Sequence, residues 1–137
     1  VRFANPINEM LDRGRGECFL RDRELAMIVA ESLLAKHEED YVLHSFVVMP
    51  NHVHVLVTIN DGVKLSKVLQ SWKGGSARKI NLKRHRSETV WQQEFWDRLI
   101  RSRVHLDYLA RYIRENPEKA RLSAFDFLIW ENTELGL

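Results

Sequence analysis

Met49-Pro50-Asn51-His52-Val53-His54-Val55-Leu56-Val57 is a turn that runs directly into a strand. Valine or isoleucine occupies every second position from Val53 to Ile59, and His52, His54, Leu56 and Thr58 fill the alternate ones. Side chains two apart on a strand point the same way and stand roughly 6–7 Å apart along it. Two imidazoles at that spacing can reach one metal ion while the valine face anchors the strand in a core. On these residues alone a second reading stays open, in which the two histidines decorate the solvent face of an edge strand.

Working outward, residues 41–48 read as the preceding strand. Val42, His44, Phe46 and Val48 fall on one side, and Tyr41, Leu43, Ser45 and Val47 on the other. A link as short as Pro50-Asn51 forces the two strands to pair antiparallel, and the hairpin is expected in the middle of a sheet. Residues 22–37 carry a helical apolar face of Leu25, Ile28, Val29 and Leu33, with Asp22 as its cap. Residues 1–20 show turn signals (Asn5-Pro6, Arg13-Gly14-Arg15-Gly16) and no clear strand pattern.

Residues 64–84 form a second helical pattern on Leu65, Val68, Leu69, Trp72, Ala77 and Ile80. Gly74-Gly75-Ser76 interrupts it, at about 1 kcal/mol per glycine. The glycines admit either a hinge between two shorter helices or close approach of a ligand to the backbone. Residues 90–102 mix aromatics with arginines; a short strand is expected at 95–100, and Trp91 and Trp96 are expected in the core. Residues 103–116 read as a third helix. Leu106, Leu109, Ala110 and Ile113 form its buried stripe, with His105, Tyr108, Tyr112 and Asn116 on the neighbouring face. Pro117 is expected to end it, because the residue before a proline avoids helical angles. Residues 125–130 make a last strand or a docking tail.

A chain of 137 residues is expected to be one domain. No run approaches the ~20 apolar residues of a membrane helix, and the start has no signal-peptide pattern. The single cysteine, Cys18, excludes an internal disulfide and a cysteine-rich zinc module, and is compatible with a reducing cytoplasm. The first residue is Val1 rather than methionine, which points to a missing N-terminal piece. Net charge is only +2, but residues 63–103 hold eleven Lys and Arg against three Asp and Glu. A basic central third in a near-neutral chain suggests a surface that meets polyanions.

Two features then need each other. One is the His-x-His strand. The other is Tyr112, followed by Asn116 one helical turn later. If that helix packs beside the strand, His52, His54 and the Asn116 side-chain oxygen converge on one cation, with Tyr112 next to it. A divalent ion with an incomplete protein shell leaves positions for phosphate oxygens, and Tyr112 supplies a nucleophile for phosphodiester cleavage.

Met49-Pro50-Asn51-His52-Val53-His54 resembles the His-hydrophobe-His motif of the single-tyrosine HUH transposases. Tyr112-Ile113-Arg114-Glu115-Asn116-Pro117-Glu118-Lys119-Ala120 resembles their tyrosine-helix motif. Residues 68–73, 78–81 and 90–101 are similar to family segments in the same order. Within the family the likeness is greatest to the REP-associated tyrosine transposases (RAYT proteins).

The resemblance implies a ferredoxin-like α+β fold with a central antiparallel sheet and the tyrosine on a helix beside the His-x-His strand. It implies Mg²⁺ or Mn²⁺ on His52, His54 and Asn116. Tyr112 would attack single-stranded DNA to give a 5′-phosphotyrosine and a free 3′-hydroxyl. Partners would be single-stranded DNA and short palindromic DNA hairpins, acted on by a monomer or a homodimer in the cytoplasm. The hairpin backbone would lie on the basic segment through Lys73, Arg78, Lys79, Lys83, Arg84, Arg98 and Arg101. The family ordinarily begins with a strand before the first helix, and residues 1–20 do not read as one. Two other classes of function stand beside this one: a DNA-hairpin-binding module that no longer cuts, and a ferredoxin-like RNA-binding domain.

Overall fold

A computed structural model describes the chain over residues 7–12, 19–91, 96–99, 103–119 and 126–133. In chain order it gives β1 (Ile7–Asp12), a 3-10 turn (Phe19–Arg21), α1 (Arg23–Leu34), β2 (Tyr41–Val48) and β3 (His52–Ile59). There follow α2 (Leu65–Arg84), β4 (Trp96–Leu99), α3 (Arg103–Lys119) and β5 (Leu128–Glu131). The strands form one sheet in the order β4-β1-β3-β2-β5, with every neighbouring pair antiparallel. Through β4 this is the split β-α-β arrangement of ferredoxin-like folds, to which α3 and β5 are added. Among the described residues no helix is long and apolar enough to cross a membrane.

β3 is the middle strand, hydrogen-bonded on both sides, so the edge-strand reading of its two histidines falls. The start of the chain also differs from expectation, because residues 7–12 are a strand. Their sequence hides it. Ile7, Glu9 and Leu11 alternate with Asn8, Met10 and Asp12, so neither face is uniformly apolar. The backbone ladders to β3 and β4 supply what the pattern lacks.

The valine face of β3 packs on α1 and α2. Val53, Val55, Val57 and Ile59 share one core with Leu25, Val29 and Leu33 of α1 and with Val68, Leu69, Trp72 and Ile80 of α2. Full burial of such side chains contributes about 1.5–3 kcal/mol each. Asp22 caps α1 as expected, accepting from the Glu24 amide at 2.9 Å. Tyr41 and Trp72 pair their polar groups inside this layer. Trp72 Nε1 donates to the Tyr41 hydroxyl at 2.9 Å, and that hydroxyl donates to the Leu33 carbonyl. α2 runs unbroken through Gly74 and Gly75, so there is no hinge. Ser76 is buried at the contact with Trp91: its Oγ accepts from Trp91 Nε1 at 2.9 Å and donates to the Trp72 carbonyl at 2.6 Å. Trp91 is a core residue, as expected.

α3 covers the opposite face of the sheet. Ala110 and Ile113 pack on Val47, Met49 and Leu56, with Phe127 and Ile129 beside them. The helix runs on through Pro117 to Lys119. Proline cannot make the bond to the Ile113 carbonyl and its ring crowds that carbonyl, but Pro117 stands in the last turn, where few helical bonds remain to be lost.

β2 departs from simple alternation. Leu43 pairs with Val57 and Ser45 with Leu56, which leaves His44 as an extra residue. This bulge turns Tyr41 and Leu43 to the same side as Phe46 and Val48. Asn132 fixes it: its amide N–H donates to the His44 carbonyl at 2.9 Å and its Nδ2 to the Leu43 carbonyl at 3.0 Å.

Two stability measurements follow from these contacts. Asn132→Ala strips a buried carbonyl of its donor and is expected to lower unfolding free energy by about 1–3 kcal/mol in urea titration. A Cβ at Gly74 would meet nothing within 4 Å, so Gly74→Ala is expected to raise stability by up to about 1 kcal/mol in the same assay.

Candidate active site

Because the valines of β3 face α1 and α2, His52 and His54 face α3. His54 is buried, at 2% exposure. Its ring meets that of Tyr112 edge-on, with centroids 6.0 Å apart and planes at 74°. Burial first, and the neighbouring His52 second, push the His54 pKa down to about 4. At neutral pH it is therefore an uncharged imidazole with a ring-nitrogen lone pair. His52 lies nearer the surface, and its Nδ1 donates to the Asn51 side-chain oxygen at 3.0 Å. That leaves Nε2 of a neutral His52 as the electron-pair donor. Further along the same face, buried His44 and Thr58 contact each other through Nε2 and Oγ1 at 2.6 Å.

Tyr112 is held where it is by what its helix touches. Ala110 and Ile113 supply the apolar contact. Arg114, two residues after the tyrosine, donates from Nε to Glu131 Oε1 at 2.7 Å and from Nη2 to Oε2 at 2.9 Å. This planar fork ties α3 to β5, in the geometry where an arginine–carboxylate pair is most directional. The lead-in to β5 is tied in turn to the start of α1: Arg23 donates to the Phe127 carbonyl at 3.0 Å, and Arg21 lies 3.4 Å from Asp126.

The structure thus brings His54 and Tyr112 together, with His52 beside His54. Asn116 stands on α3 one turn beyond Tyr112, and its side chain lies outside the described part. Among the described residues no group of three His, Cys, Asp or Glu surrounds a common point. Two imidazoles on adjacent same-face positions suit a divalent ion.

The basic residues are elsewhere. Lys73, Arg78, Lys79, Lys83 and Arg84 all belong to α2, on the far side of the sheet from the histidines. Lys83 pairs with Glu24 at 2.7 Å. Arg84 lies 3.7 Å from Glu88 and over the Phe19 ring, 5.5 Å from its centroid. Arg78 and Lys79 are exposed. Lys73 and Gly74 line a groove with residues 88–91. Arg98 is on β4 opposite Asn8; its side chain, and the whole of Arg101, lie outside the described part. Sequence reasoning passed over Asn51, Arg114 and Glu131. Asn51 could have been found as a polar neighbour of His52, whereas nothing local in the chain links Arg114 to Glu131.

Comparison with known proteins bears on this arrangement. The family model described as "Transposase IS200 like" matches residues 22–116. The fold is similar to that of a REP-associated tyrosine transposase solved bound to a REP hairpin, with TM-score 0.71 and 20% identity over 87% of this chain and 70% of that one. It is also similar to a candidate transposase from Deinococcus radiodurans R1, with TM-score 0.59 and 20% identity over 84% and 92% of the two chains. At that identity the structural likeness bears on the fold. No curated protein sequence matches significantly.

The fork predicts a pH-dependent contribution. Hydrogen bonds from Arg114 hold the Glu131 carboxyl below the usual carboxylate range. Its stabilisation is therefore present above the ordinary carboxylate pKa and is lost as pH falls through the lowered native value. Glu131→Gln is expected to cost no more than about 1 kcal/mol at pH 7, since the pair is largely exposed. Wild type and variant should converge in acid, as read by urea unfolding at both pH values.

Proposed function

Since this chain belongs to the IS200-like transposase family, we propose that it cuts and rejoins single-stranded DNA through Tyr112. Membership makes it a DNA-binding enzyme of transposition. The finer reading rests on one observation above the others: the Tyr112 ring lies against buried His54, 6.0 Å between centroids, within one chain. That contact supports a reading in which Tyr112 acts at the imidazoles of its own chain.

In that step the Tyr112 oxygen attacks a phosphorus of the strand. The new bond is Tyr Oη–P and the broken one is P–O3′. The phenol proton leaves to solvent, and the departing 3′ oxygen gains one. The product is a 5′-phosphotyrosine and a free 3′-hydroxyl, and attack by another 3′-hydroxyl reverses the step. A phenol ionises near pH 10 in water, so it needs local assistance. His52 through Nε2, neutral His54 and Asn116 would hold Mg²⁺ or Mn²⁺. When bound there, such an ion supplies Lewis-acid polarisation of phosphate oxygens. Asn51 keeps the His52 ring oriented by accepting a hydrogen bond from its Nδ1–H. All three ligands are uncharged, which leaves the site attractive to an anionic strand. A relative of the same fold is bound to a REP hairpin, and we assign this chain to that REP-associated branch, with palindromic hairpins as substrates. Lys73, Arg78, Lys79, Lys83, Arg84, Arg98 and Arg101 are the cations we assign to the hairpin backbone.

The test uses 3′-labelled DNA hairpins with single-stranded flanks, with Mn²⁺ or with EDTA. Wild type is expected to give a detergent-stable labelled adduct with Mn²⁺ only. Tyr112→Phe should give none while binding the hairpins within about twofold, and His52→Ala and His54→Ala should lose adduct and metal binding together. Adduct in the Tyr112→Phe protein would move the nucleophile elsewhere, and hairpin binding without adduct in wild type would leave a module that does not cut.

A further inference from the structure

Tyr108 has no part in the scheme above, yet its ring is the most exposed aromatic side chain described. Among the residues whose side chains the structure describes, the phenylalanines, the tryptophans and Tyr41 are buried or partly covered, and only Tyr108 and Tyr112 of the phenylalanines, tryptophans and tyrosines are exposed, at 59% and 38%. The two stand one turn apart on α3, about 6 Å along the helix axis and roughly 40° around it. Scattered single apolar residues on a surface need no explanation; two exposed phenols confined to the helix that faces His54 do. Arg111, also exposed, lies three residues after Tyr108 and next to Tyr112. An aromatic face with a cation beside it is the surface that accepts a base and its phosphate together.

We propose that Tyr108 is a stacking platform for an unpaired base of the DNA strand whose phosphate sits at Tyr112. The proposal rests on the reading of Tyr112 as nucleophile for its location, and on the exposed ring for its chemistry. A strand entering this site must be single, so its bases have lost their partners and offer π-faces. A ring one helical turn from the nucleophile meets the base of a neighbouring nucleotide while Arg111 meets the phosphate between. Stacking of this kind tolerates any base, so Tyr108 sets the position of the strand rather than its sequence. It is a positioning residue and takes no part in bond making.

The probes are single-stranded dT20 and an abasic strand of equal length, with binding read by fluorescence anisotropy. Tyr108→Ala is expected to weaken dT20 at least about fivefold, the lower end of one base–aromatic stack. It should leave the abasic strand unchanged and the melting temperature within about 2 °C. Tyr108→Phe, which keeps the ring, should bind dT20 like wild type. Equal dT20 affinity in wild type and Tyr108→Ala would overturn the platform, as would a parallel loss on the abasic strand or failure of Tyr108→Phe to restore binding. The nucleophile reading is scored separately, by adduct in Tyr112→Phe, so either assignment can fail alone.

Discussion

The packing of Val53, Val55, Val57 and Ile59 against α1 and α2 decides which way His52 and His54 point. A strand has a side-chain period of two, so a slip of one residue would bury the histidines among leucines and bare the valines. With β1 on one flank and β2 on the other, β3 has no freedom to slip. The metal-ligand candidates owe their shared face largely to hydrophobic contacts made on the other side of the sheet. Everything proposed for the site stands on that register.

The second constraint is the seating of α3. Its apolar contact with Val47, Met49 and Leu56 is small beside the core across the sheet. The Arg114–Glu131 fork adds direction to that contact. Together they bring a half-exposed phenol to a buried, uncharged imidazole. Burial of His54 serves two ends at once. It keeps the ring unprotonated at neutral pH, and it places the ring where Tyr112 can lie against it.

Much of this was legible in the chain. Residues 41–48 and 52–59 carry alternation strong enough to give both strands of the hairpin their observed bounds, and Asp22 announces α1. The His-x-His strand and the tyrosine helix read as separate motifs, linked by the chemistry of a metal-assisted phosphodiester cleavage and by the family resemblance. What was hidden depends on partners remote in sequence. Ile7–Asp12 has no binary pattern because backbone ladders on both sides hold it. The bulge at His44 is set by Asn132, which alternation within β2 could not foretell. Pro117 reads as a stop signal, yet so near the helix end the helix continues through it. The basic stretch was plain as composition, but composition is silent about layers, and α2 carries its cations on the face away from the histidines.

The fork between Arg114 and Glu131 has a consequence for the order of events on the ribosome. The chain emerges from its N-terminal side, and domains generally fold as they appear. The hairpin and α1 can settle once α2 is out. The tyrosine helix emerges later and at first has no β5 to grip. Glu131 must be made and laid beside β2 before Arg114 finds its carboxylate and Asn132 finds the bulge. The contacts that seat Tyr112 opposite His54 are therefore completed only once the C-terminal strand has been made.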